Sequence, residues 1–136
     1  MASPSRSASA RKPRTRSSWL ARISGPQSRS ACAGPVLSAA KRWPSGIYAV
    51  WYPIKLRQQV QPFHRWLGKS GFGKILVAEL LLHPDNSALR LNGCGMAIVN
   101  PPWKFERQLE ELLPALQNLL SQGRYGQHRI EWLRRD

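Results

Sequence analysis

The sequence predicts an α/β fold in which helices pack on a sheet, preceded by a basic segment without regular structure. Apolar runs rich in β-branched and aromatic residues alternate with segments whose apolar residues repeat at helical spacing. The composition also changes along the chain, since all seven Asp and Glu residues lie at or after Glu79. We therefore divide the chain into a disordered segment, residues 1–40, and an α/β domain, residues 41–136.

The disordered segment contains seven Arg or Lys residues, no acid and one aromatic residue, Trp19. Such a composition buries too little apolar area to offset the chain entropy lost on folding, so we expect no fixed structure. A sequence rich in Arg and Ser and free of acidic residues is typical of an organelle transit peptide, of an RNA-binding arm, and of a shifted reading frame in GC-rich DNA. The composition leaves these three alternatives open.

The first half of the domain predicts strand, helix, strand. Residues 46–54 (GIYAVWYPI) are rich in β-branched and aromatic residues, which favours a buried strand. Apolar residues from Leu56 to Leu67 recur at helical spacing, and glycines at 68 and 71 would end that helix. Residues 74–83 (KILVAELLLH) predict a second buried strand.

The second half predicts strand, helix, strand after a polar loop at residues 84–93. Residues 95–99 (GMAIV) form the strand, and the apolar residues from Phe105 to Leu120 form one stripe of a helix. Residues 128–133 alternate as an edge strand does. Two helices cover four strands poorly, so we expect related proteins to have more of the domain before Lys41.

The formal net charge of +14 favours a polyanionic partner, above all nucleic acid. Cys32 and Cys94 form neither a disulfide framework nor a zinc pattern, which favours a reducing compartment. The longest apolar run is far too short to cross a bilayer. The three histidines are far apart in sequence, so we expect no metal site. His64 lies beside Arg65 on the first predicted helix, and we expect it to be exposed.

Asn100, Pro101, Pro102 and Trp103 follow directly on the third predicted strand. An Asn or Asp, two prolines and an aromatic residue after a strand resemble the active-site motif of amino-group methyltransferases. Side-chain and backbone carbonyls there accept the N–H bonds of an exocyclic amine, and the aromatic ring stacks on the extruded base. The alternative is structural: the prolines end the strand and Trp103 caps the core.

Charged side chains in the domain have two interpretations each. Glu79 lies within an apolar strand, so it needs a partner, either an Arg or a backbone amide, or else it lies near a substrate. Five basic residues lie around the first predicted helix and in the polar loop, and either contact RNA phosphates or form a solvated face. They are Arg57, Arg65, Lys69, Lys74 and Arg90.

Five blocks of sequence lie in the order and spacing of a known family. They are GIYAVWYP at 46–53, KILVAEL at 74–80, LNG at 91–93, GMAIVNPPW at 95–103, and LLP at 112–114. Through them, residues 42–133 resemble the C-terminal portion of the RlmJ family, bacterial large-subunit (23S) ribosomal RNA adenine-N6 methyltransferases. The first forty residues resemble nothing in that family.

The resemblance implies a Rossmann-like sheet, S-adenosyl-L-methionine (SAM) as methyl donor, ribosomal RNA as partner and a bacterial cytoplasmic protein. It also implies a catalytic Asp-Pro-Pro-Tyr upstream of Gly46, yet no Asp precedes residue 85. Asn100–Trp103 then corresponds to a late Pro-Pro element, and no catalytic residue or SAM ligand is carried over. We expect the chain alone to be inactive; the alternative is a non-enzymatic basic RNA-binding module.

Overall fold

The computed structural model describes residues 28–135, with side chains from Gly34 onward, and has a mixed α/β fold, as predicted. The elements are α1 (Ser28–Arg42), β1 (Tyr48–Ile54), α2 (Arg57–Gly68), β2 (Ile75–Leu81), β3 (Gly93–Val99), α3 (Phe105–Ser121) and β4 (Gln127–Arg134). Every strand and helix predicted after residue 41 is present, with bounds that differ by no more than two residues. Among the described residues, no helix is both long and apolar enough to cross a bilayer.

The first helix, α1, differs from the sequence prediction, because residues 28–40 had been assigned to the disordered segment. Its last turns have tertiary partners that composition cannot reveal. Ala40 is buried, Val36 packs against the core, and the hydroxyl of Tyr48 donates to the backbone carbonyl of Ala39 at 3.0 Å. Residues 1–27, for which disorder was also predicted, lie outside the described residues.

The sheet has the strand order β1-β3-β2-β4, and each neighbouring pair is antiparallel. It follows that β1 and β2 run in the same direction, joined by the crossover helix α2, while β3 runs the opposite way between them. β4 lies at an edge of the sheet, as its alternating sequence predicted.

Each face of the sheet is covered by a different helix. On one face α2 places Val60, Phe63 and Leu67 on the strands, which confirms its predicted stripe. On the other face α3 packs Leu109 and Leu113. The strand residues of the second core are Leu76 and Ala78 of β2 and Ile98 of β3.

The apolar stripe predicted on α3 is wider than the surface it covers. Leu112, Leu119 and Leu120 are each more than half exposed. The part of this face away from α3 is also uncovered, since Trp51 of β1 and Met96 of β3 remain 48% and 40% exposed. Only the side of the stripe that overlies β2, β3 and β4 is buried.

Candidate nucleic-acid interface

A buried carboxylate, Glu79 of β2, organises one face of the sheet. Its side chain is fully buried, so each oxygen requires a donor. Tyr52 of β1 donates its hydroxyl to Oε1 at 2.7 Å, and Nη1 of Arg57 lies 2.6 Å from Oε2. The interpretation that an Arg partners this carboxylate is therefore confirmed.

Arg57 is the first residue of α2 and bridges two carboxylates. Its Nε donates to Oδ2 of Asp85 at 2.9 Å, while Nη1 binds Glu79. Burial alone would lower the pKa of the guanidinium, but the hydrogen bonds and charges of Glu79 and then Asp85 outweigh it and raise the pKa. The start of α2 is thereby tied to β2 and to the loop after it.

His64 extends the buried network to the surface of α2. Its Nε2 lies 2.8 Å from the hydroxyl of Tyr52, which itself donates to Glu79. The imidazole must therefore donate from Nε2, which assigns the tautomer. We expected His64 to be exposed, but its side chain is only 12% exposed, and this burial lowers its pKa and favours the neutral ring.

Tyr52 occupies space that a glycine leaves free. Gly95 of β3 lies opposite it, and a Cβ there would overlap the tyrosine ring. Burial, followed by the charge and hydrogen bond of Glu79, raises the pKa of Tyr52, so the hydroxyl stays protonated and donates. The family-like block GMAIV thus requires its glycine at this position to make room for the network.

A groove of about 690 Å³ lies between α2 and β4, directly above this network. Five of the residues that line it carry or can carry positive charge, and only Glu131 is acidic. The basic residues are Arg57, His64, Arg65, Lys69 and Arg129. Arg129 forms an ion pair with Glu131 at 2.6 Å, and Arg57 forms ion pairs with Glu79 and Asp85. Arg65 and Lys69 are exposed, and they face solvent as the groove's available cations.

The groove unites three of the five basic residues proposed from sequence: Arg57, Arg65 and Lys69. Lys74, just before β2, lines a different pocket, and Arg90 is exposed in the loop between β2 and β3, where it lines neither.

Sequence reasoning missed Arg129, which lies opposite Glu79 in the pairing of β2 with β4. The alternating pattern of residues 128–133 predicts which residues of that strand share a face with Arg129. It does not predict that the strand pairs with β2, because strand pairing depends on the tertiary fold.

The Asn100–Trp103 motif lies elsewhere. Because β3 is antiparallel to β1 and β2, the motif lies at the end of the sheet where β1 and β2 begin. Open α/β sheets bind ligands at the opposite end, where the parallel strands have their carboxyl ends. Nδ2 of Asn100 donates to the carbonyls of Pro44 and Gly46 at 2.8 and 2.9 Å, so this side chain anchors the loop before β1. Trp103 is 85% exposed and does not cap the core, contrary to the structural alternative.

Within the described part of the chain, no three His, Cys, Asp or Glu side chains are grouped in a way that would hold a metal ion. The carboxylates of this network already have partners: Glu79 accepts from Tyr52 and Arg57, and Asp85 accepts from Arg57. Charge in the groove therefore favours an anionic ligand.

The family model described as ribosomal RNA large subunit methyltransferase D, RlmJ, matches residues 26–134. The ribosomal RNA large subunit methyltransferases J of Haemophilus influenzae and Escherichia coli are 40% and 37% identical over 93 and 103 residues, which are 68% and 76% of this chain. Those stretches are 33% and 37% of the relatives' own lengths, so the chain spans about a third of the curated proteins it matches.

A crystal structure of a Legionella pneumophila protein of the family DUF519 matches 80% of the chain and 40% of its own length, with a TM-score of 0.69 and 25% identity. The family match begins at residue 26, which corrects the expectation that nothing in the first forty residues resembles the family. With the family model covering residues 26–134 and two relatives this similar, the chain belongs to the RlmJ family of ribosomal RNA large-subunit methyltransferases.

Proposed function

We propose that this chain is an RNA-contacting portion of a SAM-dependent methyltransferase that modifies adenine N6 in large-subunit ribosomal RNA, and that the 136-residue polypeptide binds RNA without transferring methyl groups by itself. The observation that carries the proposal is the basic groove between α2 and β4. The names of the two bacterial relatives support ribosomal RNA as the polyanion, and the resemblance to the family supports adenine N6 and SAM.

The groove suits a phosphate backbone better than a base. Arg65 and Lys69 present positive charge along a groove formed by a helix and a strand, and phosphate contacts of this kind position RNA without specifying sequence. Each phosphate that they neutralise releases counterions, so binding should weaken as salt concentration rises. The buried Glu79 network supports this surface by holding α2 against β2.

The same charge makes the groove a poor site for SAM. The methyl donor carries a positive sulfonium, which the available cations Arg65 and Lys69 would repel. The family's Asp-Pro-Pro-Tyr is also absent from the printed sequence before residue 46. We therefore assign no residue of this chain to SAM and none to the transfer step.

RNA binding is tested with a 23S ribosomal RNA transcript, by measuring affinity at several salt concentrations. Replacing Arg65 and Lys69 with Gln should lower the affinity and reduce the slope of log affinity against log salt by about two. The matched control replaces Arg42 and Arg124 with Gln, two exposed cations outside the groove. Equal losses in both variants, or an affinity independent of salt, would refute the groove as the RNA-contacting surface.

The lack of methyl transfer is tested separately, by calorimetric titration with SAM and by incubation with labelled SAM and ribosomal RNA. We expect neither heat of binding nor labelled RNA. A micromolar SAM affinity or incorporation of label would overturn this part of the proposal. The alternative function, a non-enzymatic basic RNA-binding module, shares the groove and predicts that adding the upstream portion of a bacterial relative restores no activity.

A further inference from the structure

A second pocket, of about 390 Å³, lies between the start of α3 and the end of β4. Its walls are aromatic and cyclic: Trp103, Phe105 and Trp132 with the two prolines at 101 and 102. Its rim is basic, with Lys74, Lys104 and Arg107. The one acidic residue, Glu106, lies 3.6 Å from Arg135, so its charge is partly offset. Apolar walls with a few charged groups are typical of small-molecule sites of this size.

Trp103 is held out from the protein. The indole is 85% exposed, with the Nζ of Lys104 lying 4.1 Å from the ring centroid over one face. Asn100 and Lys104 on either side have φ values of 53° and 62°, a left-handed conformation that costs non-glycine residues about 1 kcal/mol or more. The hydrogen bonds of Asn100 hold this loop in place, so the exposed indole is a consequence of the fold.

Trp132 forms a second aromatic wall of the pocket. The guanidinium of Arg135 lies 5.5 Å from the centroid of its ring, so a cation also flanks this wall. The Nε1 of Trp132 is buried, so the indole offers its ring, and not its N–H, to a ligand in the pocket.

We propose that this pocket binds one unpaired nucleotide of single-stranded RNA. The base stacks on the face of Trp103 that Lys104 leaves free, next to the ring of Trp132. Lys74 and Arg107 neutralise the adjoining phosphates. Indole stacking combined with cations is the usual chemistry of single-stranded RNA binding, and no bond is made or broken. The inference rests on the proposed RNA binding but concerns a different surface from the groove.

Indole N–H resonances of the full ¹⁵N-labelled chain report directly on the pocket. Assigned by Trp→Phe variants, they are followed during titration with a single-stranded oligoadenylate. The resonances of Trp103 and Trp132 should both shift, because both rings line the pocket. Trp51 of β1 and Trp66 of α2 lie outside the pocket and are internal controls. Shifts confined to those controls would overturn the proposal.

Affinity measurements test the stacking. Trp103→Ala should weaken oligoadenylate binding about 5- to 150-fold, while Trp103→Phe retains most of the affinity. The residue is 85% exposed, so neither change should disturb folding. An oligonucleotide of abasic sugar-phosphates provides the decisive comparison, because its affinity should not change with Trp103→Ala. Equal weakening for both oligonucleotides would refute stacking.

The outcomes also separate this proposal from the proposed function. If the ribosomal RNA transcript binds normally but Trp103→Ala leaves oligoadenylate affinity unchanged, only the nucleotide pocket is refuted. If neither the transcript nor the oligonucleotides bind, the proposed RNA contact fails as well. The variant Arg65→Gln with Lys69→Gln should weaken transcript binding while leaving the Trp132 indole shift in place, because those residues lie in the groove.

Discussion

Replacing Arg57 with Gln removes the cation that partners the Glu79 carboxylate. The carboxylate is fully buried and is left with the Tyr52 hydroxyl at 2.7 Å, and with His64 3.5 Å away as a neutral ring. Breaking a buried ion pair by removing one partner typically destabilises by 3–5 kcal/mol. The Arg57 side chain is 23% exposed, so water can replace part of it. We therefore expect a loss near the lower limit, about 3 kcal/mol.

The assay is urea unfolding followed by circular dichroism, in which this loss lowers the midpoint by about 1–3 M. The double variant Arg57→Gln with Glu79→Gln removes the buried charge together with its partner and should recover about 1.5 kcal/mol or more. Arg124→Gln, an exposed control, should change stability by less than about 0.5 kcal/mol. A single variant as stable as the control, or a double variant no more stable than the single, would refute the reasoning.

Three further perturbations probe the network and the loop around it. Gly95→Ala should cost about 1–3 kcal/mol because its Cβ meets the Tyr52 ring, whereas Gly73→Ala, with open space around it, should be neutral in the same unfolding assay. Burial lowers the pKa of His64 below 6.5, so the unfolded state binds more protons than the folded state below that pH. The free energy of unfolding should therefore fall on acidification, by up to about 1.4 kcal/mol per pH unit, and His64→Gln should flatten this part of the pH profile. Asn100→Ala should lower the unfolding free energy by about 1–2 kcal/mol through two lost hydrogen bonds and a left-handed backbone, and Asn100→Gly, which accepts that backbone, should lose less.

Much of the fold could be predicted because it depends on local periodicity. The spacing of Val60, Phe63 and Leu67 predicts the buried side of α2, and that prediction is confirmed. The stripe of α3 was predicted too broadly, because apolar spacing shows which residues share a helix side but not how much of the sheet lies beneath it. The helix α1 was missed because Val36 and Ala40 are stabilised by contacts with the core that composition does not show.

The candidate interface could be predicted in part. Arg57 and Arg65 lie on α2 and Lys69 is its C-cap residue, so their proximity follows from helical geometry. Arg129 joins them only because β4 pairs with β2, a contact between segments far apart in sequence. His64 was predicted to be exposed because it lies beside the charged Arg65, but its Nε2 forms a hydrogen bond with the hydroxyl of Tyr52 in the buried network.

By itself, the sequence determined the number and order of strands and helices after residue 41, the strongly basic character of the chain and, through its motif blocks, the family it resembles. These features depend on side-chain chemistry and on apolar residues that repeat every two residues in strands or about every four in helices. Such repeats can be read from residues close together in the sequence. Only the tertiary structure decided the strand order and directions. Those directions place Asn100–Trp103 at the edge where β1 and β2 begin, and the pairing of β4 places Arg129 opposite Glu79. Pairing between distant strands depends on the packing of the whole chain, which no local pattern encodes.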